Sequence, residues 1–453
     1  MRTAALHNLG CKVNSYETEA MQQLLEEAGY RIVPFQEKAD VYLINTCSVT
    51  NIADRKSRQM LHRAKKQNPE AVVVAAGCYV QAASEELKKD LSVDVIIGNN
   101  KKKELVPILE AFFESREGRD EDGGREAGWG CQSHVEDIGR DHQYEELKIS
   151  RIADHTRAFL KVQDGCNQFC SYCIIPYVRG RVRSRRPEDV EAEVQKLSEK
   201  GYQEVVLTGI HLSSYGVDFS GEQREDLLGL IKRIHQVPGI QRIRLGSLEP
   251  RIITEEFVKE LSCLEKVCPH FHLSLQSGCN ATLARMNRRY TREEYADRCA
   301  LLRRYFDNPA VTTDVIVGFP GETAEEFEET RSFLEQIGFY EMHIFKYSRR
   351  AGTRADRMPD QVPEQVKSER SDILLEMEKR MSASYRKSFA GRRTTVLLEE
   401  PVVIGGREYM AGFTKEYVKA ALPAGENRKN TMVEGVLTHM LDEEVLFLSA
   451  EKL

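Results

Sequence analysis

Apolar residues gather in short runs at Thr3–Leu9, Val41–Asn45, Ala71–Ala76 and Val93–Gly98. Between and after them, apolar positions recur at helical spacing near Ser15–Ala28, Ile52–Gln67, Gln81–Lys89 and Lys102–Phe113. Strands that are apolar on both faces, joined by crossover helices, predict a doubly wound parallel-sheet α/β domain over residues 1–114. Residues 115–150 break the pattern: Gly118, Gly123, Gly124, Gly128 and Gly130 stand among many charges. This stretch reads as an exposed linker or insertion, with the single tryptophan, Trp129, as a local anchor under a loop.

A second series of strand patterns follows at Phe159–Gln163, Val205–Gly209, Ile243–Ser247, Phe271–Gln276, Thr313–Gly318 and Met342–Tyr347. Helical patterns separate them near Glu188–Lys200, Glu225–Gln236, Glu255–Leu261, Arg292–Arg304 and Ala324–Ile337. Six βα units are too few for an eight-fold barrel. They predict a partial (β/α)6 barrel over 151–388, closed by a helix near Pro363–Lys387, with its chemistry at the C-terminal strand ends. Residues 389–453 change again to five short strand patterns, Thr394–Glu399, Glu408–Phe413, Tyr417–Leu422, Met432–Thr438 and Val445–Ser449. Turn signals such as Gly405-Gly406 separate them, which predicts a small β-barrel.

The 453 residues carry a net charge of −6. This excludes a globally basic nucleic-acid binder, so any nucleic-acid surface is a local patch. No apolar run approaches the roughly 20 residues of a membrane helix, and the N-terminus has no signal-peptide core. The expectation is a cytoplasmic protein. Eleven cysteines in a reducing compartment then point to metal or redox chemistry rather than disulfides.

The densest chemistry is Gly165-Cys166-Asn167-Gln168-Phe169-Cys170-Ser171-Tyr172-Cys173. Zinc sites usually show paired CxxC units that supply four ligands. Three local thiolates suit a 4Fe-4S cluster with one iron open to an exchangeable ligand. A second set is dispersed. Cys11, Cys47 and Cys78 each lie just past a predicted strand, where a doubly wound sheet gathers its ligands. They are expected to form a second three-cysteine site. Gly318-Phe319-Pro320-Gly321 lacks the lysine of a phosphate-binding P-loop.

CxxxCxxC with Tyr172 before its third cysteine resembles the radical S-adenosylmethionine (SAM) superfamily. The whole chain resembles the methylthiotransferases within it. The resemblance runs through Leu9-Gly10-Cys11-Lys12-Val13-Asn14, Asn45-Thr46-Cys47, Arg179-Gly180-Arg181, His272-Leu273-Ser274-Leu275-Gln276-Ser277-Gly278 and Asp314-Val315-Ile316-Val317-Gly318-Phe319-Pro320-Gly321-Glu322. It implies an N-terminal cluster domain, a radical-SAM partial barrel and a C-terminal RNA-binding barrel of the TRAM type. It also implies two 4Fe-4S clusters, an auxiliary one on Cys11, Cys47 and Cys78 and a radical-SAM one on Cys166, Cys170 and Cys173. One SAM serves as methyl donor and another as radical source, and the sulfur passes through the auxiliary cluster.

After Cys11 the chain reads Lys12-Val13-Asn14, then Tyr16-Glu17-Thr18. This is similar to the branch acting at C2 of N6-threonylcarbamoyladenosine at position 37 of tRNA. The isopentenyladenosine branch reads Gln-Met-Asn there, and the ribosomal-protein branch Pro-Lys-Asn. Gln276-Ser277-Gly278-Cys279 and Met286-Asn287-Arg288-Arg289-Tyr290 agree with the first. The implied partners are the tRNA anticodon region and an electron donor such as flavodoxin or ferredoxin, with the protein a monomer away from membranes. Other readings stay open: a methylthiotransferase for isopentenyladenosine or a ribosomal protein, and a non-catalytic RNA-binding iron–sulfur sensor.

Residues at strand ends around the barrel mouth are the expected SAM contacts: Thr208, Ser247, Glu249, Gln276 and Asp314, with Tyr172 in the cluster loop. Gly209 and Gly318 would permit close backbone approach. Arginines fall in three groups, around 179–186, 285–292 and 349–357. Their fork geometry suits phosphates or a substrate carboxylate, with Arg183, Arg288 and Arg349 as candidates. In the tail, Lys415, Tyr417, Lys419, Arg428 and Lys429 are candidate RNA contacts. Cys131, Cys263, Cys268, Cys279 and Cys299 read as ordinary small residues, and His211, His272 and His343 as core or pocket wall.

Overall fold

The N-terminal segment alternates strand and helix: β1 (Thr3–Asn8), α1 (Lys12–Glu27), β2 (Arg31–Ile32), β3 (Val41–Thr46), α2 (Asn51–Gln67), β4 (Val72–Gly77), α3 (Cys78–Leu87), β5 (Val95–Ile97), α4 (Leu105–Asp120) and β6 (Gln132–His134). The structure, a computed structural model, describes residues 1–120, 130–149, 156–221, 225–425 and 428–450, so Trp129 lies outside the described residues. The strands pair in parallel in the order β2-β1-β3-β4-β5-β6. Every residue of β3 and β4 is buried, as helices on both faces require. Tyr42, Leu61 and Val73 pack on one face, and Met21, Leu43, Val74 and Phe112 on the other.

The stretch expected as an exposed linker is different. It supplies the outer strand β6, and Ile138, Leu147 and Ile149 are buried. Isolated apolar residues among charges show no periodicity. Their burial depends on distant partners: Leu147 and Ile149 pack with Tyr16 of α1, whose hydroxyl donates to the Leu147 carbonyl at 2.5 Å, and Ile138 lies beside Gly180.

The central block runs β7 (Arg157–Asp164), α5 (Ile175–Val178), β8 (Arg183–Ser184), α6 (Pro187–Glu199), β9 (Glu204–Gly209), α7 (Leu227–Gln236), β10 (Arg242–Leu245), α8 (Glu255–Ser262), β11 (His270–His272), α9 (Asn280–Arg285), α10 (Arg292–Tyr305), β12 (Ala310–Val317), α11 (Ala324–Ile337), β13 (Glu341–Lys346) and α12 (Glu364–Lys387). β7, β9 and β10 pair in parallel, as do β11, β12 and β13, and the Ile243–Val267 and Leu248–Leu273 bridges join the two sets. This is the expected partial barrel. Leu160, Leu207, Leu245, Phe271 and Val315 pack outward beneath the helices. Strand alternation then turns Lys161, Thr208, Arg244, His272 and Asp314 toward the lumen.

The N-terminal domain is held to both edge strands of the barrel. Beyond β13, Arg350 donates to Ser48 Oγ at 2.5 Å and pairs with Asp54 at 2.6 Å. At β7 the contact is a buried ionic network. Glu17 of α1 meets Lys102 at 2.5 Å, Lys161 at 2.7 Å and Arg179 at 2.6 Å. Asp164 meets Lys161 at 2.5 Å, Arg179 at 3.2 Å and Arg183 at 3.7 Å.

The tail forms β14 (Arg393–Ile404), β15 (Arg407–Phe413), β16 (Lys419–Pro423), β17 (Met432–Met440) and β18 (Leu446–Ala450), closed in the order β14-β15-β16-β18-β17. Its 414–417 turn seals the barrel floor. Arg242 donates to the Phe413 carbonyl and Arg244 to the Lys415 carbonyl, both at 2.8 Å. Arg157 and Arg244 each lie 4.9 Å from the Tyr417 ring, which stacks on Phe413 at 4.5 Å. Tyr417, expected to open a strand, is held at φ 71°, so the strand begins at Lys419.

Two stability predictions follow from these contacts. Glu17→Gln leaves Lys102 without its paired carboxylate and Lys161 and Arg179 with Asp164 alone, and should cost about 3–5 kcal/mol in denaturant unfolding. Burial alone raises the Glu17 pKa, but the Arg179, Lys102 and Lys161 charges outweigh it and hold the carboxyl well below its usual range. Asp164 is lowered in the same way by Lys161, Arg179 and Arg183. Carboxyls lowered on folding contribute fully above their unfolded values of about 4 and lose that contribution as pH falls through the lower folded values. Stability measured from pH 7 to pH 3 should therefore decline on the acid side, and less steeply in Glu17→Gln. Tyr417→Ala removes two cation–π contacts and a stacked pair. It should cost about 1–3 kcal/mol and speed proteolysis between α12 and β14.

Candidate active site

β1, β3 and β4 are neighbours in the sheet, so their C-terminal ends lie side by side, about 4.8 Å apart per strand. Cys11, Cys47 and Cys78 emerge there, and each thiol is close enough to feel the others' charge. The approach is tight. Gly10 has φ 106°, and a Cβ on it would fall 2.8 Å from Cys47 Sγ. Asn14 ties the ends together, donating to the Leu9 carbonyl at 2.7 Å and to the Thr46 carbonyl at 3.0 Å. Its own Oδ1 accepts from Arg179 at 2.7 Å.

The second trio sits on the loop after β7. Gly165 has φ 70°, and a Cβ there would collide with the Arg181 carbonyl at 1.8 Å. Phe169 adopts φ 50°, with the Arg181 guanidinium 4.8 Å above its ring. The Cys166 amide donates to the Gly180 carbonyl, the Ser171 amide to Met286 and the Asn287 side chain to Phe169, each at 3.0 Å. These bonds fix the loop that carries Cys166, Cys170 and Cys173, and each thiol lies within electrostatic reach of another.

These donor sets fit anionic iron–sulfur clusters. Burial pushes the Cys47 and Cys173 thiols up to about 12 and Cys166 to about 11. Only a bound metal's charge would deprotonate such thiols at neutral pH. Each trio also has an arginine aimed at sulfur: Arg179 Nε lies 3.2 Å from Cys78 Sγ, and Arg288 Nη1 lies 3.2 Å from Cys170 Sγ. Lys102, Lys161, Arg179 and Arg183 share ion pairs with Glu17 and Asp164, and the buried Glu145 carboxyl also faces Lys102 and Lys161.

The residues expected to hold SAM ring the same mouth. Thr208 is buried at the end of β9, and Ser247 is exposed beyond β10. Glu249 is buried, pairs with Arg251 at 2.8 Å and lies within electrostatic reach of Cys166. Gln276 adopts φ 74°, and its amide donates to the Asp314 carbonyl. Tyr172 meets Phe319 edge-on at 6.3 Å. The space a Cβ would need at Gly209 and Gly318 is filled by Gln163 and Lys367, so protein packing accounts for both glycines. In the lumen, His272, Asp314 and His343 bring one ligand atom each within 4.8 Å of one another.

The candidate substrate cations divide. Arg183 is wholly buried and serves the ionic network, as Arg185 serves Glu193 at 2.6 Å. Arg288 lies over the cluster loop, on Cys170 and the Ser274 carbonyl. Arg349 is exposed and pairs with Asp356 at 2.7 Å. Lys415 does not lie on an open face of the C-terminal barrel. Its ammonium donates to the Glu265 carbonyl on the floor of the large barrel, while Lys419 pairs with Glu400 at 3.2 Å. Of the remaining cysteines, Cys263 is exposed and Cys268 fully buried. Sequence reasoning missed Glu17 and Asn14 as positioning residues. Both stand in the Cys11–Thr18 stretch, and the signal was a polar side chain at a helix position that packing buries.

Comparison with known proteins places this geometry. Residues 3–98 match Uncharacterized protein family UPF0004, and residues 160–334 match the Radical SAM superfamily. A threonylcarbamoyladenosine tRNA methylthiotransferase of Bacillus subtilis is 42% identical over 96% of this chain and 93% of its own length. A tRNA-2-methylthio-N(6)-dimethylallyladenosine synthase of Moorella thermoacetica is 37% identical over 88% of each chain. Among solved structures, the radical SAM methyltransferase TsrM of Kitasatospora setae has the same fold at 17% identity, with a TM-score of 0.57 over 78% of this chain and 77% of its own. With one cysteine trio on the N-terminal sheet, another on the radical-SAM barrel and relatives at this level of identity over most of their length, the chain belongs to the methylthiotransferase family of radical SAM enzymes.

Proposed function

We propose that this protein adds a methylthio group to C2 of N6-threonylcarbamoyladenosine at position 37 of tRNA. The carrying observation is the presence of two cysteine trios, one in each domain, with Arg179 of the barrel reaching Cys78 of the first. The threonylcarbamoyladenosine name of the relatives and the Lys12-Val13-Asn14 sequence support that branch.

Bound at these thiols, 4Fe-4S clusters and SAM supply a 5′-deoxyadenosyl radical and the sulfur to be transferred. The protein's part is placement. Three cysteines per site leave one iron free of protein ligands. Arg179 and Arg288 balance thiolate charge, and the N-terminal domain and the sealed floor keep water from the lumen. The anticodon region enters from the mouth, opposite Tyr417. A flavodoxin- or ferredoxin-type donor supplies the electron, and the protein works as a monomer. The outer face of the C-terminal barrel, around Lys419, Arg428 and Lys429, is the RNA-binding surface.

Anaerobic reconstitution should load about eight irons per chain. Replacing Cys166, Cys170 and Cys173 by alanine should halve the iron and abolish 5′-deoxyadenosine formation. Replacing Cys11, Cys47 and Cys78 should also halve the iron while sparing SAM cleavage; full iron retention would remove the auxiliary site. Nucleoside mass spectrometry of tRNA from a deletion strain reads the substrate. The 2-methylthio form of threonylcarbamoyladenosine should vanish, and loss of the isopentenyl derivative instead would overturn the assignment.

A further inference from the structure

Tyr177 of α5 keeps its ring in solvent while the residues on either side, Pro176 and Val178, are buried; the tyrosine is 53% exposed. Its ring meets Phe169 edge-on at 5.9 Å, so at most one of its faces is covered. Phe169 is itself held at φ 50°, a left-handed conformation that a bulky side chain rarely adopts. The Arg181 guanidinium lies 4.8 Å above the Phe169 ring, and the Asn287 amide fixes the turn by donating to the Phe169 carbonyl at 3.0 Å. The two rings and the guanidinium thus form one built cluster rather than a chance exposed side chain.

This cluster lies on the seam between the two cysteine trios. Phe169 directly precedes Cys170. Val178, next to Tyr177, accepts at its carbonyl from Asn99 at 2.7 Å, and the same Asn99 amide lies 3.9 Å from Cys78 Sγ. Arg179, one residue further, reaches Cys78 itself at 3.2 Å. Two exposed cations flank the rings: Arg181, and Arg289, which stands two residues beyond Asn287. Among the described residues no carboxylate pairs with either, whereas Arg292 pairs with Glu293 at 2.9 Å and Arg349 with Asp356 at 2.7 Å. An open aromatic face beside guanidinium groups without acids is the arrangement that holds single-stranded nucleic acid: the ring stacks on a base and the cations meet phosphates.

We propose that Tyr177 is a stacking platform for a nucleobase of the anticodon loop, with Arg181 on an adjacent phosphate. The inference rests on the tRNA reading above and adds a subsite to it. A base that is to face both trios has to cross this seam, so the RNA meets the ring, whereas an electron donor needs only to approach one cluster. Every base has a π-face, so Tyr177 contributes affinity and placement rather than choice between bases. A base drawn out of the loop's own stack regains a stacking partner there.

The test uses anaerobically reconstituted protein and anticodon stem-loops with threonylcarbamoyladenosine at position 37 and 2-aminopurine at one other loop position at a time. At saturation, at least one probe should be dimmer on the unaltered protein than on Tyr177→Leu, because a stacked ring quenches it. Tyr177→Leu keeps the bulk and loses the π-face, and should bind at least about fivefold more weakly. Tyr177→Phe should keep both quenching and affinity. Arg181→Gln should lower the slope of log affinity against log salt by about one and leave the quenching in place. Quenching is read at saturation, so a fraction of inactive protein does not enter it. Unchanged quenching and affinity in Tyr177→Leu overturn the proposal. So does a loss in Tyr177→Phe as large as in Tyr177→Leu, which would assign the hydroxyl instead. Intact RNA binding in Tyr177→Leu, with cluster reduction slowed for flavodoxin but not for dithionite, also overturns it and makes the ring a contact for the electron donor. If the unaltered protein binds none of the stem-loops, the tRNA reading itself fails.

Discussion

The Glu17 carboxylate is fully buried and shared among Lys102 of its own domain and Lys161 and Arg179 of the barrel. Such a network contributes little net stability over a well-packed apolar contact, because desolvation offsets most of the Coulomb gain. What it contributes is geometry. Arg179 touches Glu17, Asp164, Asn14 and Cys78 at once, so displacing α1 by one residue would strand several charges together. The positions of the two thiol trios relative to each other follow from that constraint.

The same network sets the charge of the lumen. Four buried cations share Glu17 and Asp164, with Glu145 beside two of them, and the arginines that reach sulfur do so from the barrel rather than from the domain that carries Cys78. Arg179 and Arg288 favour negative charge at Cys78 and Cys170. Opposite them the floor arginines are met by Glu204 and Glu399 and by the carbonyls and aromatic ring of the 413–417 turn.

Much of the fold was legible because strands buried on both faces and helices of 3.6 period leave unmistakable patterns. Both cysteine sets could be read as well, one from tight local spacing and one from its place past three strand ends. What escaped was anything that depends on a partner far along the chain. β6 has only three residues, Gln132–His134, and none is strongly apolar. Arg183 and Arg185 look like a basic patch in sequence and are sealed inside. Lys415 and Tyr417 look like surface residues of a small barrel, yet they pack against the floor of the large one. Charged residues carry no periodic signal that separates a solvated face from a buried pair.

The two thiol trios also differ in when they come into being. Cys166, Cys170 and Cys173 are neighbours along the chain, and closing so short a loop around a metal needs little prior order. Cys11, Cys47 and Cys78 become neighbours only after β1, β3 and β4 have paired and Gly10 has taken its left-handed turn. The dispersed trio is thus complete only once the N-terminal sheet has folded and, with Arg179 reaching Cys78 from the barrel, once the two domains have docked.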